Sequence, residues 1–416
     1  MTATAQAFEA WGGYDQDDPF PLFADVRERG PVHRVTLVDG HDAWLVVRHE
    51  DARAALSDQR LSKDMQAAQS ASSETVAEGL PGPDFAHHML VADPPDHTRL
   101  RRLVSSAFSV RRIEALRPHV QGIVDDLLDD VAAQGPDSTV DLVASFALPL
   151  PYTVICELLG VPPAERDSLG KNLRALLSPT PTPLAYAAAK AASDAVVAKL
   201  TELVETKQSA PGDDLISGLI AARDGDERLN QRELLSTIFQ LILAGHDTTT
   251  SLIGNSIVAL LRHPDALAAL RSDPSRIPAA IEELLRYDGP VPHSTFRYAT
   301  EPVEIGGVTV PAGGQVIISL AAANRDPGKY AEPEKLDINR TDVHHIAFGH
   351  GIHFCLGAAL ARMEGQLALE SLLHRFPHLR LGVAPDDLHW GHGDGLVLRG
   401  LTELPVIPGP ALPRES

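Results

Sequence analysis

Cysteine is nearly missing from this chain: only Cys156 and Cys355 occur in 416 residues. A disulfide framework is therefore not the organising device, and so few thiols suit a reducing cytoplasm. Long apolar runs are missing as well. Stretches such as Val316 to Ala323 fall well short of the ~20 residues needed to span a bilayer. The first residues, Met1 to Gln6, lack the basic segment and following apolar segment of a secretory leader. The expectation is a cytoplasmic protein with no membrane anchor. Positive charge is the third deficit: 36 Lys and Arg against 56 Asp and Glu leave a net charge of −20. Nucleic acid is thereby disfavoured as the main partner, because neutralising phosphates needs a basic face.

What is present points to one large folded unit. Hydrophobic residues make up 44% of the chain, enough for a sizeable core and too many for a disordered chain. No repeat of twenty to fifty residues is visible. The richest Pro/Thr stretch, Ser178 to Pro183, is too short for a linker, so residues 1–416 read as a single domain.

Helical periodicity dominates. Val120, Ile123, Val124, Leu127, Leu128 and Val131 form one stripe of a helix over 117–133. Residues 152–159, 184–207, 212–222 and 264–271 read similarly. The longest helix is expected to open at Asn230, where Asn230 and Glu233 make a capping-box pattern, and to run to about Leu261 before Pro264. Strand signals are grouped at about 31–48, 303–320 and 396–407. They include hairpins around Asp39-Gly40 and Gly306-Gly307 and a β-like run from Val316 to Leu320. The fold class is mainly α with small β-sheets.

The most informative segment runs Phe348-Gly349-His350-Gly351-Ile352-His353-Phe354-Cys355-Leu356-Gly357. Its two glycines permit a tight turn, and an amphipathic helix is expected from Leu356 to about Leu373. Cys355 thus stands just before a helix N-terminus, where unpaired N–H groups and the dipole favour a thiolate, a natural iron ligand. Taken alone, the same cysteine could be a buried structural residue. His344, His345, His350, His353 and Cys355 could also be read as a zinc cluster, but their spacing matches no ordinary zinc pattern. Inside the long helix, Ala244-Gly245-His246-Asp247-Thr248-Thr249-Thr250 is locally poor in helix propensity. Either something approaches the backbone there or side chains open the hydrogen-bond ladder.

Together these segments resemble the cytochrome P450 family, and the order and spacing are similar to those of actinobacterial macrolide and polyketide tailoring members. The resemblance extends to Glu283-Leu284-Leu285-Arg286, the helix opening at Asp96-His97, and Ala323-Asn324-Arg325-Asp326-Pro327. It implies a haem b held between the long central helix and the cysteine-loop helix. Cys355 would be the axial thiolate, with Phe348 and Gly357 completing its loop. It further implies that Ala244 and Gly245 make room for dioxygen and substrate, that Thr248 hydrogen-bonds the bound oxygen, and that Asp247 relays protons. His97, Arg101, Arg297 and His353 take the propionate positions. Glu283, Arg286 and Arg340 make a structural ion network, although an aromatic is more usual at Leu336. Without the resemblance, Glu283 with Arg286 is an ordinary surface pair, and His97 with Arg101 a plain basic face.

The implied activity is a haem-thiolate monooxygenase that hydroxylates or epoxidises a bulky hydrophobic small molecule, such as a polyketide or macrolide-like metabolite. Dioxygen is the co-substrate, and a ferredoxin with an NAD(P)H-dependent ferredoxin reductase supplies electrons. The protein is expected to be a monomer. The variable stretches from Met65 to Leu90 and 172–192 would line the substrate pocket, with Leu241, Ala244, Val291, Pro292, His293, Leu396 and Val397. His293 is either a substrate hydrogen-bond donor or a water-facing turn residue. Arg99, Arg101, Arg102, Arg111 and Arg112 cluster, and their outward members would dock an acidic ferredoxin. The alternatives are oxidative coupling or ring formation by the same cofactor, and a haem-binding sensor without turnover.

Overall fold

The longest helix begins where its cap demands. The Asn230 side chain accepts from the Glu233 amide at 3.0 Å, and Glu233 accepts from the Asn230 amide at 2.9 Å. Two otherwise orphaned N–H groups are satisfied in this reciprocal box. The helix Gln231–Arg262 that follows is buried on nearly every side from Leu234 to Leu260. A helix apolar all round is one that runs through a core rather than along a surface.

The computed structural model describes residues 14–37, 40–64, 85–105, 108–177, 183–222, 228–391 and 397–414. Its helices are α1 (Phe20–Arg29), α2 (His49–Ser57), α3 (Asp96–Ser105), α4 (Val110–Ala133), α5 (Pro149–Leu159), α6 (Pro163–Leu177), α7 (Pro183–Ser209), α8 (Leu215–Ala221), α9 (Gln231–Arg262), α10 (Pro264–Ser272), α11 (Ile277–Asp288), α12 (Leu320–Asn324) and α13 (Ala358–Arg375). The central α9 packs against α5, α7, α8, α10, α11 and α13.

The strands are β1 (Val32–Thr36), β2 (Asp42–Val46), β3 (Leu61–Ser62), β4 (Val140–Asp141), β5 (Arg297–Ala299), β6 (Val303–Ile305), β7 (Val308–Val310), β8 (Gln315–Ile318), β9 (Arg380–Leu381) and β10 (Pro405–Ile407). One sheet has the order β1-β2-β8-β5-β3, with β2 and β8 parallel and its other pairs antiparallel. A second is β4-β10-β9, and β6-β7 is an isolated hairpin. In the first sheet Leu61 faces Ala299 and Ser62 faces Tyr298, so the chain leaves β3 with Lys63 opposite Arg297.

Three sequence expectations shift, and the one at Pro264 holds. The helix expected over 117–133 starts earlier, at Val110, and carries Pro118 inside it. The β-like run from Val316 ends at Ile318, because Ser319 caps a new helix by accepting from the Ala322 amide at 3.2 Å. Pro264 does end α9, but it occupies the first turn of α10, where its missing N–H costs nothing. The helix after the cysteine loop is not amphipathic: only Glu370 is exposed along α13, since α4, α9 and α11 all pack on it. Val38 and Asp39 of the expected hairpin turn lie outside the described residues.

Candidate functional site

The cysteine loop is shaped by its glycines. Gly349 has φ +73° and Gly351 φ +75°, values that a side chain rarely tolerates. At Gly351 a Cβ would also stand 3.0 Å from the Leu56 carbonyl oxygen at the end of α2. The loop closes when the Cys355 amide donates to the Phe348 carbonyl at 2.9 Å. Phe348 itself is held under the Arg362 guanidinium, 4.5 Å from the ring centroid.

Cys355 is accessible, although protein surrounds it closely. That burial pushes its thiol up, against the Gly357 amide and the Arg101 and Arg362 guanidiniums, which favour the thiolate. The direction is opposite to the one expected from a helix terminus alone. Cys355 stands two residues ahead of Gly357, the cap of α13, so the amides of the helix proper begin beyond it.

Around this loop, elements distant in sequence gather basic side chains. His97 in the first turn of α3 and His353 in the loop bring their rings to 4.4 Å. Burial drives His353 down to about 2, aided by the positive fields of Lys63, Arg297, His97 and Arg101. Burial likewise lowers Arg297 to about 10 and pushes Lys63 well below its ordinary value. Lys63 Nζ donates to the Thr295 and Phe296 carbonyls at 2.9 and 3.1 Å. Asp93, which accepts from the Lys63 amide at 3.1 Å, is the carboxylate that offsets the lowering at Lys63, His97 and Arg297. His97 Nε2, His353 Nε2 and Arg297 Nε are buried without a hydrogen-bond partner among the described residues. A buried polar group left without a partner costs about 1–3 kcal/mol. Such a cradle suits a ligand that brings carboxylates next to Cys355, and the two propionates of a haem meet that requirement.

On α9 the lapse in helix propensity has a visible cause. Thr248 Oγ1 donates to the Ala244 carbonyl at 2.7 Å, Ser251 Oγ to the Asp247 carbonyl at 2.9 Å, and His246 Nδ1 lies 2.7 Å from the Ile242 carbonyl. Side chains thus double the ladder over this stretch. Ala244 is exposed and Thr248, one turn on, is half-buried beside it, with Leu241 buried on the preceding turn. Gly245 faces elsewhere: a Cβ there would meet Ile155 of α5 at 3.3 Å. Helix packing therefore accounts for Gly245, whereas Ala244 lies on the accessible face.

The ion network assembles around Glu283, which is 1% exposed. Arg286 donates to both its oxygens at 2.7 and 2.8 Å, and Arg340 Nε to the nearer one at 3.2 Å. The remaining Arg286 hydrogens go to the Asn324, Pro333 and Lys335 carbonyls. Leu336 is buried in the main core.

Of the expected substrate positions, Val291 and Val397 are half-buried and Pro292 is buried. Leu396 lies outside the described residues, as do 65–84 and 178–182. Phe85, where the first variable stretch resumes, stacks on Phe239 of α9 at 3.9 Å. His293 does not face water. It is fully buried and bridges to Ser319, with its ring against Tyr14 and Phe23. Arg99 leaves the expected basic patch because its guanidinium pairs with Glu233 at the start of α9. Arg102, Arg111 and Arg112 are exposed.

Among the described residues no group of three or more histidine, cysteine or acidic side chains could hold a metal ion. The zinc reading is thereby answered: His345 bonds Glu282 at 3.2 Å instead. A groove of about 1260 Å³ between α1, α2 and the 326–334 turn carries charges of both signs, including Arg27, Glu50 and Lys329. It reaches the cysteine loop at His350 and contains neither Cys355 nor Thr248. Among the described residues no single helix is long and apolar enough to cross a membrane.

Sequence reasoning missed Lys63, Glu282 and Arg362. Arg362 donates to Glu282 at 2.6 and 2.8 Å. Burial alone would raise Glu282, but Arg362 and His345 hold it down at about 2. The spacing of Arg362 from Cys355 carried no signal of this pairing, which depends on how α11 meets α13.

Comparison with known proteins bears directly on this arrangement. The cytochrome P450 family model matches residues 165–399. The chain is 49% identical over 391 residues to cytochrome P450 107B1 of Saccharopolyspora erythraea, covering 93% of this chain and 94% of that one. It is 45% identical over 395 residues to the 6-deoxyerythronolide B hydroxylase of the same organism, covering 94% and 96%. Among solved structures, the P450 enzyme CxnD, which acts in C–S bond formation in chuangxinmycin biosynthesis, superposes with a TM-score of 0.87 at 38% identity, covering 99% of both chains. The chain belongs to the cytochrome P450 family.

Proposed function

We propose that this monooxygenase carries haem b with Cys355 as its axial thiolate and oxidises a bulky, largely hydrophobic polyketide or macrolide-like molecule. The observation that carries the cofactor assignment is the cradle of buried basic side chains beside Cys355, with His97 Nε2, His353 Nε2 and Arg297 Nε unpartnered among the described residues. His97, Arg101, Arg297 and His353 receive the propionates, with Lys63 behind Arg297. When bound, the haem supplies thiolate-assisted dioxygen activation, in which electron push favours O–O cleavage.

The chain's own residues supply the rest. Ala244 leaves open the face of α9 that meets dioxygen and substrate, and Leu241, Val291, Pro292 and Val397 give that space apolar walls. Thr248 can turn its hydroxyl from the Ala244 carbonyl toward oxygen. Asp247 brings protons to it, a general-acid contribution. Electrons come from a separate ferredoxin and its NAD(P)H-dependent reductase, docking over Arg102, Arg111 and Arg112, in a monomeric, cytoplasmic enzyme. The hydroxylase relative supports oxygen insertion into a macrolide skeleton. The relative that acts in C–S bond formation supports keeping oxidative coupling as the second reading. The Asp247-Thr248 pair favours insertion, because proton delivery is what that pair provides.

The deciding experiment is the absorption spectrum of the purified protein, oxidised and then reduced under carbon monoxide. A strongly red-shifted Soret band in the wild type, lost in Cys355→His, is the expected result. A band at the position of a histidine-ligated haem, or an unchanged carbonyl spectrum in Cys355→His, overturns the ligand assignment. Thr248→Ala is expected to retain haem and substrate binding while diverting reducing equivalents to peroxide. Full coupling in that variant removes Thr248 from proton delivery.

A further inference from the structure

His246 immediately precedes Asp247 on α9 and has no part in that reading. Its ring is 6% exposed and lies edge-on to Tyr152 of α5, at 5.4 Å between centroids. Tyr152 is itself tied down, its hydroxyl donating to the Arg166 carbonyl at 2.5 Å. The imidazole therefore has no room to swing away from α9.

Its two nitrogens face different partners. Nδ1 lies 2.7 Å from the Ile242 carbonyl oxygen, which can only accept, so Nδ1 carries a hydrogen. Nε2 lies 3.1 Å from Oδ1 of Asp247. Neighbouring residues on an α-helix point about 100° apart, so their side chains rarely meet. A neutral imidazole with its hydrogen on Nδ1 would turn a lone pair onto the carboxylate. The contact is attractive only if a second proton lies between Nε2 and Oδ1. Titratable groups on this side include Tyr152 and Cys156 of α5, which share a hydrogen bond, with Glu157 of α5 and Arg166, Asp167 and Arg174 of α6 behind them.

We propose that His246 is a positioning residue that holds a proton on Nε2 against the Asp247 carboxylate, next to Thr248, and so serves as the local reservoir of the relay. The proposal rests on the role given to Asp247 and Thr248 above. When the relay draws on it, the proton leaves Nε2 for Oδ1 and passes on from Asp247. What remains is a neutral imidazole, still bonded through Nδ1–H to Ile242, and a carboxylate. One proton from bulk water restores the pair.

Two measurements test it. The first is nitrogen-15 histidine NMR of the reduced carbonyl holoenzyme, with the His246 resonance assigned by its loss in His246→Leu or, if that variant does not fold, in His246→Gln. The proposal requires a doubly protonated ring at pH 7 that becomes neutral at that pH in Asp247→Asn. A ring already neutral in the wild type, or one unaffected by Asp247→Asn, overturns it.

The second is the peroxide released per dioxygen consumed between pH 6 and 9, driven by NADPH with a plant-type ferredoxin and its reductase. The peroxide share is expected to rise several-fold in His246→Leu and to lose the pH dependence of the wild type, with His246→Gln in between. An unchanged share and profile in His246→Leu overturns the proposal. A wild type lacking the red-shifted carbonyl band would defeat the cofactor assignment instead, and the protonation state of His246 would still be read from the first measurement in whatever form the protein takes.

Discussion

Two buried side chains carry unusual protonation costs that separate variants can expose. Glu364 on α13 is 1% exposed, and one of its oxygens lacks a partner among the described residues. Burial raises its carboxyl to about 8 from 4.5. A raised carboxyl keeps its proton in the folded state, so its contribution to stability is full below pH 4.5 and is lost as pH rises toward 8. Glu364→Gln cannot ionise and escapes that loss. Its unfolding free energy from urea titration is expected to match the wild type near pH 4.5 and to exceed it increasingly above, by on the order of 3 kcal/mol at pH 7. A pH-independent difference would place the raised carboxyl elsewhere. Arg297 makes the opposite case, since its guanidinium is positioned for an anion. Arg297→Leu is expected to release haem to an apo-globin acceptor about tenfold faster, the equivalent of one charge-assisted hydrogen bond of ~1.5 kcal/mol. An unchanged release rate would remove Arg297 from the cradle.

At the scale of elements, the proximal side is held by two acidic residues adjacent on α11. Glu283 ties that helix to Arg340 beyond α12. Glu282 ties it to α13 through Arg362 and to the cysteine loop through His345. The Glu282 carboxyl lies near 2 instead of 4.5, a depressed value. Its contribution is therefore present above pH 4.5 and disappears as pH falls toward 2. Glu282→Gln should flatten that acid limb in a pH series of thermal midpoints, and a limb as steep as in the wild type would assign the acid sensitivity to other carboxylates. Glu283→Gln should cost about 3–5 kcal/mol at neutral pH, because it strands the buried Arg286 guanidinium and takes the carboxylate from Arg340.

These elements also show what the chain discloses before it folds. Cys355, Thr248 and the Glu283–Arg286 pair are legible because their chemistry sits within a few residues of chain, where spacing survives. Lys63 is not, because its place opposite Arg297 arises from the pairing of β3 with β5, more than two hundred residues apart. The amphipathic reading of α13 fails for a related reason: three helices pack on it, and periodicity marks one buried face rather than several. His293 looks like a turn residue until Tyr14 and Phe23 cover it.

Over the whole molecule, a net charge of −20 makes the few exposed arginines near α3 and α4 matter more than their number suggests. An acidic electron donor is repelled by most of the surface, so a local basic patch would steer its approach. Reversing Arg102 and Arg111 together to glutamate should slow ferredoxin-dependent reduction at low salt about tenfold or more, and the gap should close as salt rises. Equal rates for variant and wild type across the salt series would place the docking surface elsewhere. The chain's ends are linked at a similar distance. Arg399 holds the Asp288 carboxylate at 2.9 Å and the Asp17 carbonyl at 3.2 Å, and β2 lies in parallel register with β8, Trp44 facing Val316. During synthesis, the first hundred residues therefore emerge with two of the five strands of their sheet not yet translated. The amino-terminal quarter has to wait, with one edge of β2 open, until β8 leaves the ribosome.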